Sequence, residues 1–263
     1  GAFLDNIKSI EPGSFAKIHL NELVLRSTFE DFNVMHTSLQ GLTGLQVKRL
    51  MVGEFRNKRK LEDFQSGLLS GLCQVQMQEF VLICFRQFES NTDTVFNCIS
   101  NVSTIRLVNL ELEQISEVPM SSQVKQLEFK KCHFEEVPAM KLSHFKELRV
   151  LRITKNRYLK SFEQKFKNLR NLEVVDLSEN RLTFSGCCSL LFQNCPNLKY
   201  LNLSFNADIR LTGDFTNVKN LLYLDLQHTK LFGPGSYPVF LFLQKLIYLD
   251  ISHTKIHVKS QCT

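Results

Sequence analysis

Residues 172–182 read LEVVDLSENRL, residues 198–209 read LKYLNLSFNADI and residues 221–231 read LLYLDLQHTKL. Each line has the form L-x-x-L-x-L-x-x-N/T. In the first it is filled by Leu172, Val175, Leu177 and Asn180, in the second by Leu198, Leu201, Leu203 and Asn206, and in the third by Leu221, Leu224, Leu226 and Thr229. Apolar residues three apart and then two apart describe a short strand whose consensus side chains turn inward. The asparagine that follows turns the chain and hydrogen-bonds backbone groups of neighbouring coils. Recurrence of this consensus at about 20–29 residues is the signature of leucine-rich repeats.

The template extends in both directions from there. First-leucine positions fall at Leu20, Val47, Met77, Val102, Val124, Leu148, Leu172, Leu198, Leu221 and Leu246, at intervals of 27, 30, 25, 22, 24, 24, 26, 23 and 25 residues. No interval has room for a second domain. The expectation is an α/β fold, a leucine-rich-repeat solenoid (horseshoe) of about ten repeats. A parallel β-sheet lines its concave face, with loops and short helices on the convex face. A single solenoid is expected to occupy residues 1–263, with irregular repeats over 1–147 and more regular ones over 148–263.

The reason for that division lies at the asparagine position. Early coils carry Thr28, Phe55, Phe85, Leu110 and Cys132 there, whereas asparagine itself appears at Asn156, Asn180 and Asn206. A coil without the amide loses part of the ladder, so curvature and twist are expected to change along the chain. The longest interval, between Val47 and Met77, holds FRNKRKLEDFQSGLLSGL, whose second half has the composition of a convex-side helix.

At the ends, Gly1–Ser14 reads as the back half of a repeat and Lys259–Thr263 as the inside of another, so neither end is expected to cap the core. There is no signal peptide and no apolar run near membrane-spanning length. These features predict a piece of a longer receptor or adhesion ectodomain. Eight cysteines without a C-x-x-C pair fit an oxidising compartment better than a zinc site. Sequons at Asn101-Val-Ser103 and Asn202-Leu-Ser204 agree with an extracellular location and mark Asn101 and Asn202 as glycan acceptors.

Several stretches are not repeat consensus at all: FNVMHTSLQGL (32–42), VGEFRN (52–57), GLCQVQMQEF (71–80), VFNCISNVS (95–103) and FSGCCS (184–189), together with LIYLDISHT (246–254). Through them the chain resembles the ectodomains of the lipopolysaccharide-sensing Toll-like receptors, across essentially all 263 residues. The resemblance implies the central part of the horseshoe and the start of its carboxy-terminal part. The departures from mammalian members point to a non-mammalian vertebrate source.

What the resemblance implies is binding rather than catalysis. A lipid-binding co-receptor (myeloid differentiation factor 2) sits on the receptor's side, and a receptor homodimer forms around bacterial lipopolysaccharide. The chain would be the extracellular part of a single-pass cell-surface receptor, without the membrane span and signalling domain. Carried over by motif, the lipid A phosphates would be held by Arg56, His133 and Arg157, with His133 replacing a lysine of the family. Ser185 replaces another lysine, so charge is lost there. Arg56 and the basic run to Lys60 also read as an ordinary solvated loop. Arg26 matches a co-receptor contact. Tyr237 and Leu241 match the dimer interface, whereas Ser260 stands where the family has a second exposed phenylalanine. The family pairs Cys73 with Cys98 and Cys187 with Cys188, and leaves Cys84, Cys132, Cys195 and Cys262 unassigned. No cofactor, metal site or catalytic residue is implied.

One expectation comes from the residues alone. The strand position after the second leucine reads Asp176, Asn202, Asp225 and Asp250 in the last four repeats, flanked by Tyr200, Tyr223, Tyr248, His228 and His253. A carboxylate column repels phosphate-rich ligands, which predicts that the inner surface is not the ligand platform and that partners bind the flank. The net charge of +6 and pI near 8.9 are compatible with nucleic-acid binding. The basic residues, however, are dispersed, with no aromatic-interleaved stripe. The competing readings are a generic leucine-rich-repeat adhesion or protein-binding ectodomain, and a nucleic-acid-sensing Toll-like receptor. The histidines near Asp225 and Asp250 lack any accompanying catalytic motif.

Overall fold

The structure, a computed structural model, describes the chain apart from residues 6, 8, 27–31, 54–62, 65–67, 84–85, 89–96, 100, 111–122, 134–141, 143–144, 161–165, 167–168, 184–191, 210–214, 231–239 and 255–263. It divides into two compact units, principally residues 1–134 and 141–263. No described helix is long and apolar enough to cross a membrane.

The first unit contains strands β1 (Ala2–Asp5), β2 (His19–Arg26) and β3 (Gln46–Gly53), then β4 (Asp63–Phe64), β5 (Gln76–Ile83), β6 (Arg86–Phe88), β7 (Thr104–Val108) and β8 (Gln126–Lys130). Its main sheet runs β1-β2-β3-β5-β7-β8, while β4 and β6 form a separate two-stranded parallel pair. The second unit contains β9 (Val150–Thr154), β10 (Val174–Asp176), β11 (Tyr200–Asn202), β12 (Tyr223–Asp225) and β13 (Tyr248–Asp250), again in chain order. Every described pairing is parallel, as a leucine-rich-repeat solenoid requires. Among the described residues these main-sheet strands number eleven, apart from the β4–β6 pair.

The leucine spacing sets the register. Leu23, Leu50, Phe80, Ile105 and Leu127 lie opposite one another across the first unit. Leu151, Val175, Leu201, Leu224 and Leu249 do so across the second. Each lies three residues after the first-leucine position read from the sequence, so all ten coils have the expected phase. All but Leu249 are buried. Burying a side chain of this size contributes roughly 1.5–3 kcal/mol, so a slip of one residue would be costly for every coil at once. The sequence reading missed β1. The stretch taken as the back half of a repeat begins with a strand, and Ala2, Phe3 and Leu4 pair with Leu23, Val24 and Leu25.

Behind the first unit's sheet lies a helical layer. It consists of α1 (Phe32–Gln40), which the sequence reading did not anticipate, a 3₁₀ helix at Leu68–Gln74 and a short one at Asn97–Ile99. The 3₁₀ helix at Leu68–Gln74 overlaps the second half of the stretch read as a convex-side helix and runs two residues beyond it. Met35, Leu39, Leu69, Leu72 and Ile99 turn into the core from this layer. A Cβ on Gly71 would collide with the backbone of Leu39 and Gln40, which explains glycine where α1 crosses the next coil. The disulfide Cys73–Cys98 joins the two 3₁₀ helices.

Among the described residues, seven coils leave their strands through a left-handed residue one position before the ladder site: Asn109, Lys131, Lys155, Glu179, Phe205, His228 and His253, with φ between 54° and 62°. Only one of the seven is an asparagine and none is glycine, so each of these coils holds a side chain in a sparsely populated region. The repeated packing on either side offsets that cost.

The ladder site itself differs between units. In the second, Asn180 Nδ2 donates to Ile153 O (2.6 Å) and Leu177 O (2.7 Å), and its Oδ1 accepts from Asn156 N at 2.8 Å. Asn206 Nδ2 likewise donates to Leu177 O (2.9 Å) and Leu203 O (2.8 Å), and its Oδ1 accepts from Leu182 N at 3.2 Å. Thr229 and Thr254 reach only the carbonyls of Leu226 and Ile251 in their own coils. In the first unit Cys132 stands at this position, its Sγ 3.3 Å from Leu107 O of the preceding coil. A thiol thus makes the inter-coil bond that an amide makes elsewhere.

Candidate functional site on the strand faces

In a parallel stack, equivalent residues of successive coils lie side by side about 4.8 Å apart, so any residue type repeated at one position becomes a row. The first unit presents a row of alternating charge. Arg49 lies 3.3 Å from Glu22 and 2.9 Å from Glu79, and Arg106 Nε lies 2.7 Å from Glu79 Oε1, near enough for an ion pair though not aligned as a hydrogen bond. Arg106 also donates to Glu128 at 2.9 Å. Five side chains from five strands therefore neutralise one another to a net single negative charge. Glu79 and Glu128 are largely buried beneath the arginines, and the carboxylates hold the Arg49 guanidinium even more firmly protonated than usual. The sequence reading did not find this row; placing the repeats one above another would have shown its alternating signs.

The second unit presents three rows. Asp176, Asn202, Asp225 and Asp250 pair in register, as the sequence reading expected. Their Oδ1 atoms accept from the backbone N–H two residues on: Ser178 (3.1 Å), Ser204 (2.9 Å), Gln227 (3.0 Å) and Ser252 (2.8 Å). The column is therefore a set of Asx turns that end the strands, which explains why asparagine serves as well as aspartate at 202. Burial and the neighbouring Asp250 and Asp176 push the Asp225 carboxyl up, while the Ser252 hydrogen bonds hold that of Asp250 down. Beside the column, the rings of Tyr200, Tyr223 and Tyr248 stack at 4.2 Å per step, and burial pushes the Tyr223 hydroxyl well above its ordinary range. On the far side Phe205, His228 and His253 stack at 4.7 and 4.5 Å, from the left-handed turn positions.

The residues singled out from the sequence fall as follows. Arg26 is exposed at the end of β2, its guanidinium 5.2 Å from the centre of the Phe3 ring. His133 is half-buried, and its backbone N–H donates to Leu110 O at 2.7 Å. Arg157 is exposed in the turn after Asn156, and Leu241 is 57% exposed. Asn101 is exposed, whereas Asn202 is half-buried with Oδ1 engaged by Ser204. Arg56, Tyr237, Cys187 and Cys188 lie outside the described residues, as do Cys84 and Cys262. Cys73 and Cys98 are joined as the resemblance implied. Cys132 and Cys195 are buried thiols, which burial pushes up to about 12 and about 11, so both stay protonated. Among the described residues no group of three or more His, Cys, Asp or Glu could hold a metal ion.

No protein-family model matches the chain. Among curated proteins it is 40% identical over 255 residues to Toll-like receptor 4 of Sus scrofa, covering 97% of this chain and 30% of that protein. To Toll-like receptor 4 of Boselaphus tragocamelus it is 39% identical over 241 residues, 92% of this chain and 28% of that protein. Among solved structures, the mouse RP105/MD-1 complex aligns with a TM-score of 0.75 and 28% identity, over 93% of this chain and 40% of that one. The Drosophila Toll–Spatzle complex shares the fold, with a TM-score of 0.65, 19% identity and coverage of 89% of this chain and 30% of that one. The chain is thus a leucine-rich-repeat homologue of Toll-like receptor 4 over 92–97% of its own length, spanning about 30% of the receptors it matches.

Proposed function

We propose that this chain is the extracellular ligand-sensing part of an innate immune pattern-recognition receptor. In this reading it binds a lipid-binding co-receptor on its flank and dimerises around bacterial lipopolysaccharide, carrying the signal inward because ligand stabilises the paired state. The observation that carries the reading is 40% identity to Toll-like receptor 4 across nearly the whole chain. The RP105 structure, of a homologous fold in complex with a second protein, MD-1, supports engagement of a separate co-receptor. The role is binding, not catalysis.

The strand faces support a flank site. In the first unit Arg49 and Arg106 are already committed to carboxylates, so they are poor phosphate ligands. In the second the row of Asx-turn carboxylates repels anions. Arg157, outside both rows and exposed, remains available for charge-assisted bonds to phosphate, and Arg26 stands at the exposed end of β2, where the family places a co-receptor contact. Leu241 supplies exposed apolar surface for the dimer.

The test is a light-scattering titration of the purified chain with its cognate co-receptor, with and without lipid A. A one-to-one complex that doubles in mass on adding lipid is the expected result. If neither this chain nor the full ectodomain forms a complex, the lipopolysaccharide reading fails and a generic protein-binding repeat ectodomain replaces it.

A further inference from the structure

The amino-terminal ends of β2, β3 and β5 enclose an open groove of about 460 Å³, lined by His19, Asn21, Gln46, Lys48, Gln76 and Gln78 over Leu20, Val47 and Met77. That volume falls within the roughly 300–1,000 Å³ of small-ligand clefts. Its chemistry is unusual for this molecule. Four of the six polar residues are carboxamides, none is acidic, and Lys48 is the single permanent charge. Among the described residues, none of the four amide side chains has a hydrogen-bond partner within the protein.

A carboxamide offers both donors and an acceptor, as a sugar hydroxyl does, so a row of them suits a polyhydroxylated neutral ligand. The half-exposed Leu20 and Met77 give the floor an apolar surface for the C–H face of a pyranose ring. Gln46 and Gln76 lie opposite one another on adjacent strands, so the amides repeat every 4.8 Å or so along the groove.

The next strand places a glycan acceptor beside this wall. Ser103 binds Gln78 O through both its N–H and its Oγ, each at 3.0 Å. Ser103 is the third residue of the sequon that begins at Asn101, and Asn101 is exposed. Two residues of chain span at most about 7 Å whatever their conformation, so a sugar on Asn101, in the turn that leads into β7, starts close to Gln78. From the groove, its unpartnered amides and this adjacent acceptor, we propose that the amide-lined groove is a cradle for the Asn101-linked glycan, which lies across β5, β3 and β2. The inference rests on the extracellular part of the reading above. It predicts a glycan that covers the groove and leaves it closed to other partners.

A glycan held against protein is processed less completely than a free one, because the processing enzymes cannot reach its branches. The experiment is site-specific glycopeptide mass spectrometry on the full receptor expressed in vertebrate cells, comparing the parent with Gln76→Ala/Gln78→Ala. The expected result is an occupied Asn101 carrying mainly oligomannose forms, shifting at least threefold toward complex forms when the two amides are removed. Hydrogen exchange in β3 and β5 should rise in step when the parent's glycan is trimmed. An unoccupied Asn101, or a processing state unchanged by the double substitution, overturns the proposal. Neither result bears on the co-receptor reading, which the light-scattering titration decides separately.

Discussion

The two units solve the same stacking problem with different bonds. In the first, strands of up to eight residues carry a charge row on their face and a disulfide-stapled helical layer behind. In the second, four of the five strands are only three residues long, and a buried asparagine ladder, Asx turns and ring stacks hold the coils together. An amide at the ladder site bonds carbonyls and N–H groups of two coils at once, so the backbone can leave the strand early. Where Leu110 or Cys132 stands instead, that inner bonding is reduced or absent, and the longer strand ladders carry more of the cohesion.

Removing the disulfide should break the comparison most sharply. Cys73→Ser/Cys98→Ser opens a loop with a separation of 25 residues, and the chain-entropy relation gives a loss of roughly 3.5 kcal/mol. Hydrogen exchange should accelerate in β5 and β7 while β10–β12 keep their protection. Equal acceleration in both units would mean that they are not held independently. Next in size is Asn180→Ala, which leaves buried backbone groups of two coils unpaired and should cost about 3 kcal/mol. Cys132→Ala, at the equivalent site, loses a weaker sulfur bond and should cost nearer 1 kcal/mol by denaturant unfolding. A result in the reverse order would refute the ladder account.

Smaller still is the charge row. Arg106→Met leaves Glu79 and Glu128 without a shared cation and should cost about 1 kcal/mol at low salt, less at high salt, because these arginines are partly exposed. The smallest effect concerns Asp225, whose folded carboxyl titrates above its ordinary range. The fold disfavours its charged form, so Asp225→Asn, which keeps the turn-forming oxygen, should be slightly more stable than the parent at neutral pH. That advantage should fade as pH falls through the carboxyl's titration. A loss of stability at neutral pH would show that the carboxylate has a favourable partner. Separately, Cys132 and Cys195 should resist alkylation in the native chain and react once it is unfolded.

Leucine spacing alone established the phase of ten coils. A parallel stack admits one register once every second leucine must be buried, and the positions from Leu23 through Leu224 obey it. The positions of the ladder asparagines and the acidic column were legible for the same reason: each is a function of place within a repeat. The residues that the family resemblance singled out are not repeat consensus: Arg26 closes β2, and His133 and Arg157 directly follow Cys132 and Asn156.

Tertiary structure alone decided what the rows do. That the Asp176–Asp250 column is spent on Asx turns follows from the backbone bending two residues after each strand position, and that Arg49 and Arg106 are spent on Glu22, Glu79 and Glu128 follows from side chains 22 to 30 residues apart meeting across 4.8 Å or so of sheet. The groove beside Asn101 has the same origin. Asn21, Gln46, Gln76 and Gln78 carry no motif in the sequence and become a surface only when three coils are stacked. Repeat spacing determines which residues become neighbours; only their geometry shows which remain free to bind.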